Sequence, residues 1–181
     1  MSMDTNEPFD LAVKGRLALP GASTASTGWM GIQNGRIATL SEEPLKAKKI
    51  LDVGSHLVLP GFVDAHVHCR SCLEEGITAT TTAAAAGGTT TLIDMPFDKP
   101  DRPVNTSARL RTKIADIAQE AVIDVGLYAT FPARGPLDEI AAMNEAGAAG
   151  YKVSTIEVDP VRFPRIPDGR FVEAFQEIAR T

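Results

Sequence analysis

Alternation of apolar and polar positions marks strands in the first sixty residues. Phe9, Leu11 and Val13 fall on one face of a run from Phe9 to Gly15. Two further alternating runs, Trp29–Gln33 and Arg36–Leu40, flank Asn34-Gly35, a dipeptide that favours the positive φ angles of a tight hairpin turn. The Ser-, Thr- and Ala-rich segment Gly21–Gly28 reads as a loop. Ile50–Val53 and His56–Leu59 are short apolar runs leading to a turn at Pro60-Gly61, and His56 reads as a strand-surface residue.

Beyond Gly61 the pattern changes to short apolar runs separated by longer stretches of helical period, the signature of βαβ units on a parallel sheet. The predicted strands are Phe62–His68, Thr89–Met95, Ile123–Thr130 and Gly150–Ser154. The first helix falls within Glu74–Ala86 and stops at Gly87-Gly88, a left-handed cap. The second opens near Asn105–Ser107 and carries a stripe of Leu110, Ile114, Ile117, Ala118 and Ala121. A third runs from Pro136 to Gly147, and a fourth starts at about Asp168 and packs Phe171, Val172, Phe175 and Ile178.

Composition adds exclusions. The 181 residues are 44% hydrophobic and 23% charged, the balance of a globular chain with a core. A net charge of −5 without long like-charged runs offers nothing to nucleic acid or an anionic membrane. No apolar run reaches the roughly 20 residues of a membrane helix, and Met1–Asp10 lacks a signal pattern, so the cytoplasm is expected. Cys69 and Cys72 form one Cys-x-x-Cys without a second pair, read as incidental.

The candidate chemistry lies at predicted strand ends, where ligands gather in parallel α/β architectures. In Val63-Asp64-Ala65-His66-Val67-His68-Cys69-Arg70, His66 and His68 share a strand face with Asp64. Two imidazoles so placed are either surface residues or a metal-ligand pair. Asp94 and Asp98 follow the second strand, and Lys152 ends the fourth within Ala-Gly-Tyr-Lys-Val-Ser. An amine in that setting either snorkels to the rim or is desolvated enough to react.

Taken in order, Pro60-Gly61-Phe62-Val63-Asp64-Ala65-His66-Val67-His68, Ala83–Thr91, Asp94-Met95-Pro96 and Gly150-Tyr151-Lys152 resemble the amidohydrolase superfamily. Within it the likeness is to the cyclic amidohydrolases: allantoinase, dihydroorotase and the hydantoinase or dihydropyrimidinase group. The resemblance implies a small β-sandwich region over 1–59. It also implies that 60–181 form about four βα units, the N-terminal half of a (β/α)8 barrel, which takes about 250 residues when complete. It further implies a hydrolase of cyclic amides and ureides with two zinc ions. His66 and His68 match one ion's ligands, and Lys152 matches the lysine carbamylated to bridge both. Arg70 matches an arginine that grips a substrate carboxylate. Phe97-Asp98 after Met95-Pro96 departs from the dihydroorotase pattern, leans toward allantoinase, and puts Asp98 beside the substrate. The family's remaining zinc histidines and its catalytic aspartate come from later strands. His56, His66 and His68 are the only histidines, so those residues are expected beyond Thr181 and the isolated chain is expected to be inactive. The complete form is expected to be a homo-oligomer; the alternatives are a non-catalytic scaffold or a half-barrel that assembles with a partner.

Overall fold

A computed structural model of the chain describes residues 8–71, 76–98, 102–157, 159–161 and 163–181. Cys72, and with it the Cys-x-x-Cys pair, and the helix start expected at Glu74 lie outside the described residues. The chain forms two compact units that divide between Pro60 and Gly61.

The first unit contains β1 (Phe9–Leu17), β2 (Ser26–Gln33), β3 (Arg36–Ser41) and β4 (Ala47–Val58), hydrogen-bonded in the order β3-β2-β1-β4. Asn34 and Gly35 turn β2 into β3 with φ of 52° and 72°, the paired positive angles a two-residue hairpin needs. The two runs expected on either side of residue 54 are one strand, β4, running parallel to β1. Gly54 has a φ of 61°, and the register shifts opposite it between Lys14 and Arg16, so a bulge joins the two runs. The segment expected as a loop to Gly28 gives its last three residues, from Ser26, to β2.

These strands make one layer. The second layer of the expected β-sandwich is not among the described residues, and Ile37, Leu40, Ile50, Leu51 and Leu57 are accordingly exposed.

The second unit carries the site. Its elements are β5 (Phe62–Val67), α1 (Ile77–Ala86), β6 (Thr89–Asp94), β7 (Phe97–Asp98), β8 (Arg102–Pro103), α2 (Ser107–Glu120), β9 (Asp124–Ala129), α3 (Glu139–Glu145), β10 (Gly150–Tyr151) and α4 (Asp168–Ile178). The main sheet is parallel throughout and ordered β10-β9-β6-β5, so each long connection returns the chain to the adjacent strand. That is the progression of a (β/α) barrel, and four βα units of it are present among the described residues. The small antiparallel pair β7–β8 is inserted after β6.

The helices form for legible reasons. Gly88 takes the left-handed φ of 86° after α1, and Gly147 one of 97° after α3. Thr106 caps α2 by accepting the Arg109 N–H. Their apolar faces meet the sheet in two clusters. One joins Leu110, Leu127, Phe131, Ile140 and Met143, and the other joins Cys69, Ile77 and Leu92.

Two helix faces differ from the sequence pattern. In α4, Ala174 is buried and Phe171 and Ile178 pack on the core, whereas Val172 and Phe175 are 57% and 63% exposed. In α2, Ile114 turns outward at 38% exposure and Lys113 is fully buried.

Candidate functional site

The C-terminal ends of the parallel strands bring together side chains far apart in sequence. His66 lies near the end of β5 and His68 just beyond it, with ring centroids 5.6 Å apart. Between Asp64 and Val67 the β5–β6 register shifts, and the Asp64 carboxylate accepts the His66 backbone N–H at 3.0 Å. Local capping thus replaces part of the ladder where the imidazoles project. His68 Nδ1 and the buried Ser71 Oγ are 2.7 Å apart, a contact that sets the ring's orientation.

Lys152 follows β10, its backbone N–H bonded to the Ala129 carbonyl at the end of β9. Its Nζ is 3.4 Å from His66 Nε2 and 3.5 Å from Met95 Sδ, and 5.9 Å from the centre of the Phe163 ring. The half-buried amine therefore points across the sheet ends toward the histidines.

No three His, Cys, Asp or Glu side chains among the described residues converge as a metal-binding set. The histidine pair fits a divalent cation, since neutral imidazole is a good ligand, but an ammonium beside it does not, because it would repel the ion. Lys152 becomes compatible once its amine is converted to a carbamate, which is anionic and offers two oxygens. The donor set therefore fits a metal in that modified form.

Arg70 and Asp98 meet each other. Arg70 reaches Asp98 at 2.7 Å and Asp116 at 2.8 Å. Burial would lower the Arg70 pKa, but hydrogen bonds to the two carboxylates and then their charges raise it above its ordinary value. Asp98 also lies 2.9 Å from Lys113 Nζ, which is 2.8 Å from Asp94. Phe97 and Asp98 are consecutive in β7 and go separate ways: the Phe97 ring is 3.9 Å from Phe163, on Lys152's side, while Asp98 turns to the arginine and lysine.

Among the described residues this network joins two cations, Arg70 and Lys113, to three carboxylates, Asp94, Asp98 and Asp116, and Arg102 and Arg109 line the same pocket as Arg70. Sequence reasoning missed Lys113, Asp116 and Ser71. The signal for Lys113 was its place three residues after Leu110, on the face of α2 that packs on the sheet. Ser71 gave none beyond lying three residues after His68.

A cavity of about 580 Å³ adjoins Lys152 through Val153 and Phe163, and Phe97, Phe131 and Ile166 help line it. Its size lies in the range of small-molecule sites.

The Amidohydrolase family model matches residues 57–165, which include His66, His68, Arg70, Asp98 and Lys152. The chain belongs to the amidohydrolase family. An L-hydantoinase of Paenarthrobacter aurescens is 33% identical over 166 residues, covering 82% of this chain and 33% of that protein. An allantoinase of Streptomyces avermitilis is 36% identical over 143 residues, with 77% of this chain and 31% of its own length covered. The solved L-hydantoinase from Arthrobacter aurescens superposes with a TM-score of 0.84 at 31% identity, over 95% of this chain and 39% of that one. These matches put the chain in the cyclic amidohydrolase branch, and it spans about a third of the length of the curated relatives it matches. No helix among the described residues is long and apolar enough to cross a membrane.

Proposed function

We propose that this chain is the N-terminal portion of a cytoplasmic, metal-dependent hydrolase of cyclic amides, with His66, His68 and a carbamylated Lys152 as metal ligands. The observation that carries the reading is the 3.4 Å approach of Lys152 Nζ to His66 Nε2 across 86 residues of sequence. A lysine with only a packing role has no reason to be aimed at an imidazole from another strand end.

When bound, zinc supplies Lewis acidity toward the ring amide carbonyl and makes a water nucleophilic near neutral pH. The protein's part is positioning. β5 and β10 present the imidazoles and the lysine from separate strand ends, Ser71 holds the His68 ring, and the Phe97–Phe163 pair gives the Lys152 side an apolar wall. The substrate class that fits is an uncharged cyclic ureide such as allantoin or a hydantoin. Arg70 is already held by Asp98 and Asp116, so its guanidinium is engaged within the protein instead of being open to a substrate carboxylate.

The exposed apolar residues of the N-terminal sheet suit one layer of a β-sandwich completed elsewhere in a whole, homo-oligomeric enzyme. In that enzyme, Lys152→Ala is expected to remove bound zinc and to lower kcat/KM for allantoin or hydantoin by at least about a thousandfold, with partial recovery on adding a short carboxylic acid. Full zinc occupancy and activity in Lys152→Ala would refute the assignment. Turnover of dihydroorotate above that of allantoin and hydantoin would refute the substrate class.

A further inference from the structure

The segment Asp94-Met95, at the end of β6, grips the backbone on both sides of His68. The Met95 N–H donates to the Val67 carbonyl at 2.8 Å, and the Cys69 N–H donates to Asp94 Oδ1 at 3.0 Å. The second Asp94 oxygen lies 2.8 Å from Lys113 Nζ, and both side chains are completely buried. Lys113 in turn donates to the Met95 carbonyl at 3.0 Å and pairs with Asp98 at 2.9 Å.

A buried ion pair is a poor source of stability, because desolvating both charges offsets most of their attraction. Apolar residues of similar size often replace such a pair with little loss of stability. What they could not do is accept the Cys69 N–H, which lies just beyond β5 and donates to Asp94 Oδ1. Asp94 supplies that acceptor, and Lys113, 2.8 Å from its other oxygen, keeps the carboxylate aimed.

We propose that Asp94, oriented by Lys113, is a positioning residue for His68, bracketing its backbone so that the imidazole is presented to a divalent cation in one geometry. The proposal rests on the reading of His66 and His68 as metal ligands. Asp94 acts through the Cys69 amide and has no chemical role of its own.

The test uses the 181-residue chain and two double variants from which the buried ion pair has been removed. Asp94→Asn/Lys113→Met keeps an oxygen for the Cys69 N–H, and Asp94→Ala/Lys113→Met does not. Amide hydrogen exchange at Cys69, followed by NMR without metal, reads the bracket. Zinc affinity, measured by competition with a chromogenic chelator, reads its consequence.

In Asp94→Ala/Lys113→Met, Cys69 exchange is expected to rise at least about tenfold and zinc affinity to fall at least about tenfold, while Asp94→Asn/Lys113→Met stays within about threefold of the parent in both. Equal behaviour of the two doubles, whether both like the parent or both impaired, overturns the proposal. If the alanine double does not fold, Asp94→Ser/Lys113→Met replaces it. Its shorter hydroxyl falls short of the amide, so parent-like exchange and zinc binding there would equally overturn it. If the unaltered chain and the asparagine double show no zinc binding while Cys69 exchange follows the expected order, the bracket stands and the ligand reading of the histidines is what fails.

Discussion

Replacing Lys113 with methionine tests the buried network through stability. The ammonium is completely buried between Asp94, also completely buried, and Asp98, 16% exposed. Methionine fills nearly the same length but strands both carboxylates. Asp98 keeps Arg70 as a partner, so the cost falls on Asp94, whose Oδ2 has no hydrogen bond and only this ion pair. Breaking a buried pair by removing one partner costs about 3–5 kcal/mol, and the added apolar contact returns about 1 kcal/mol. The expected net loss is about 3 kcal/mol, a fall in Tm of roughly 6–12 °C for a chain of this size.

The two units need separate probes. The four helices among the described residues lie in the second unit, so helical circular dichroism during urea denaturation reads it. The only tryptophan, Trp29, lies in the first and serves as an internal control whose transition stays in place. Adding Asp94→Asn is expected to recover at least about half of the loss, because the pair is then neutral. A loss below about 1 kcal/mol in Lys113→Met, or no recovery in the double variant, would refute the reasoning.

Further outcomes follow from single features of the two units. Burial first, and the Asp94 charge second, push the Cys69 thiol up to about 12, so it stays protonated across the neutral range. At pH 8 its alkylation by iodoacetamide is expected to be at least about a hundredfold slower in the native chain than in urea, and equal rates would contradict the buried placement. Gly35 sits at a φ of 72° with open space where a side chain would go, so Gly35→Ala meets backbone strain without a clash. It should cost the first unit about 1 kcal/mol by Trp29 fluorescence and leave the helical signal unmoved.

Much of the fold was legible along the chain because its signals are local. Strand alternation, the Asn34-Gly35 turn and the glycines at 88 and 147 depend on neighbours a few residues away, and the corresponding strands, hairpin and helix ends are present. The candidate site residues stood out for the same reason: His66 and His68 lie two positions apart at the end of an apolar run, and Lys152 is conspicuous by its setting. Exposure was less legible. Whether Phe175 or Ala174 is buried on α4 depends on what the helix packs against, and periodicity alone gave Phe175 and Val172 too much of the core.

From local pattern alone, then, the chain determines its strands, its helices and the identity of the residues at the strand ends. Tertiary structure decides their partners. Lys113 occupies the core face of α2, and Ile114 turns outward, because Asp94 and Asp98 from the β6–β7 segment compensate a buried ammonium at a distance no sequence window spans. The same event ties Arg70 to Asp98 and Asp116. Pairing across long separations depends on which strand ends the sheet places side by side. That is why Lys152 could be singled out in the sequence, while its approach to His66 had to wait for the fold.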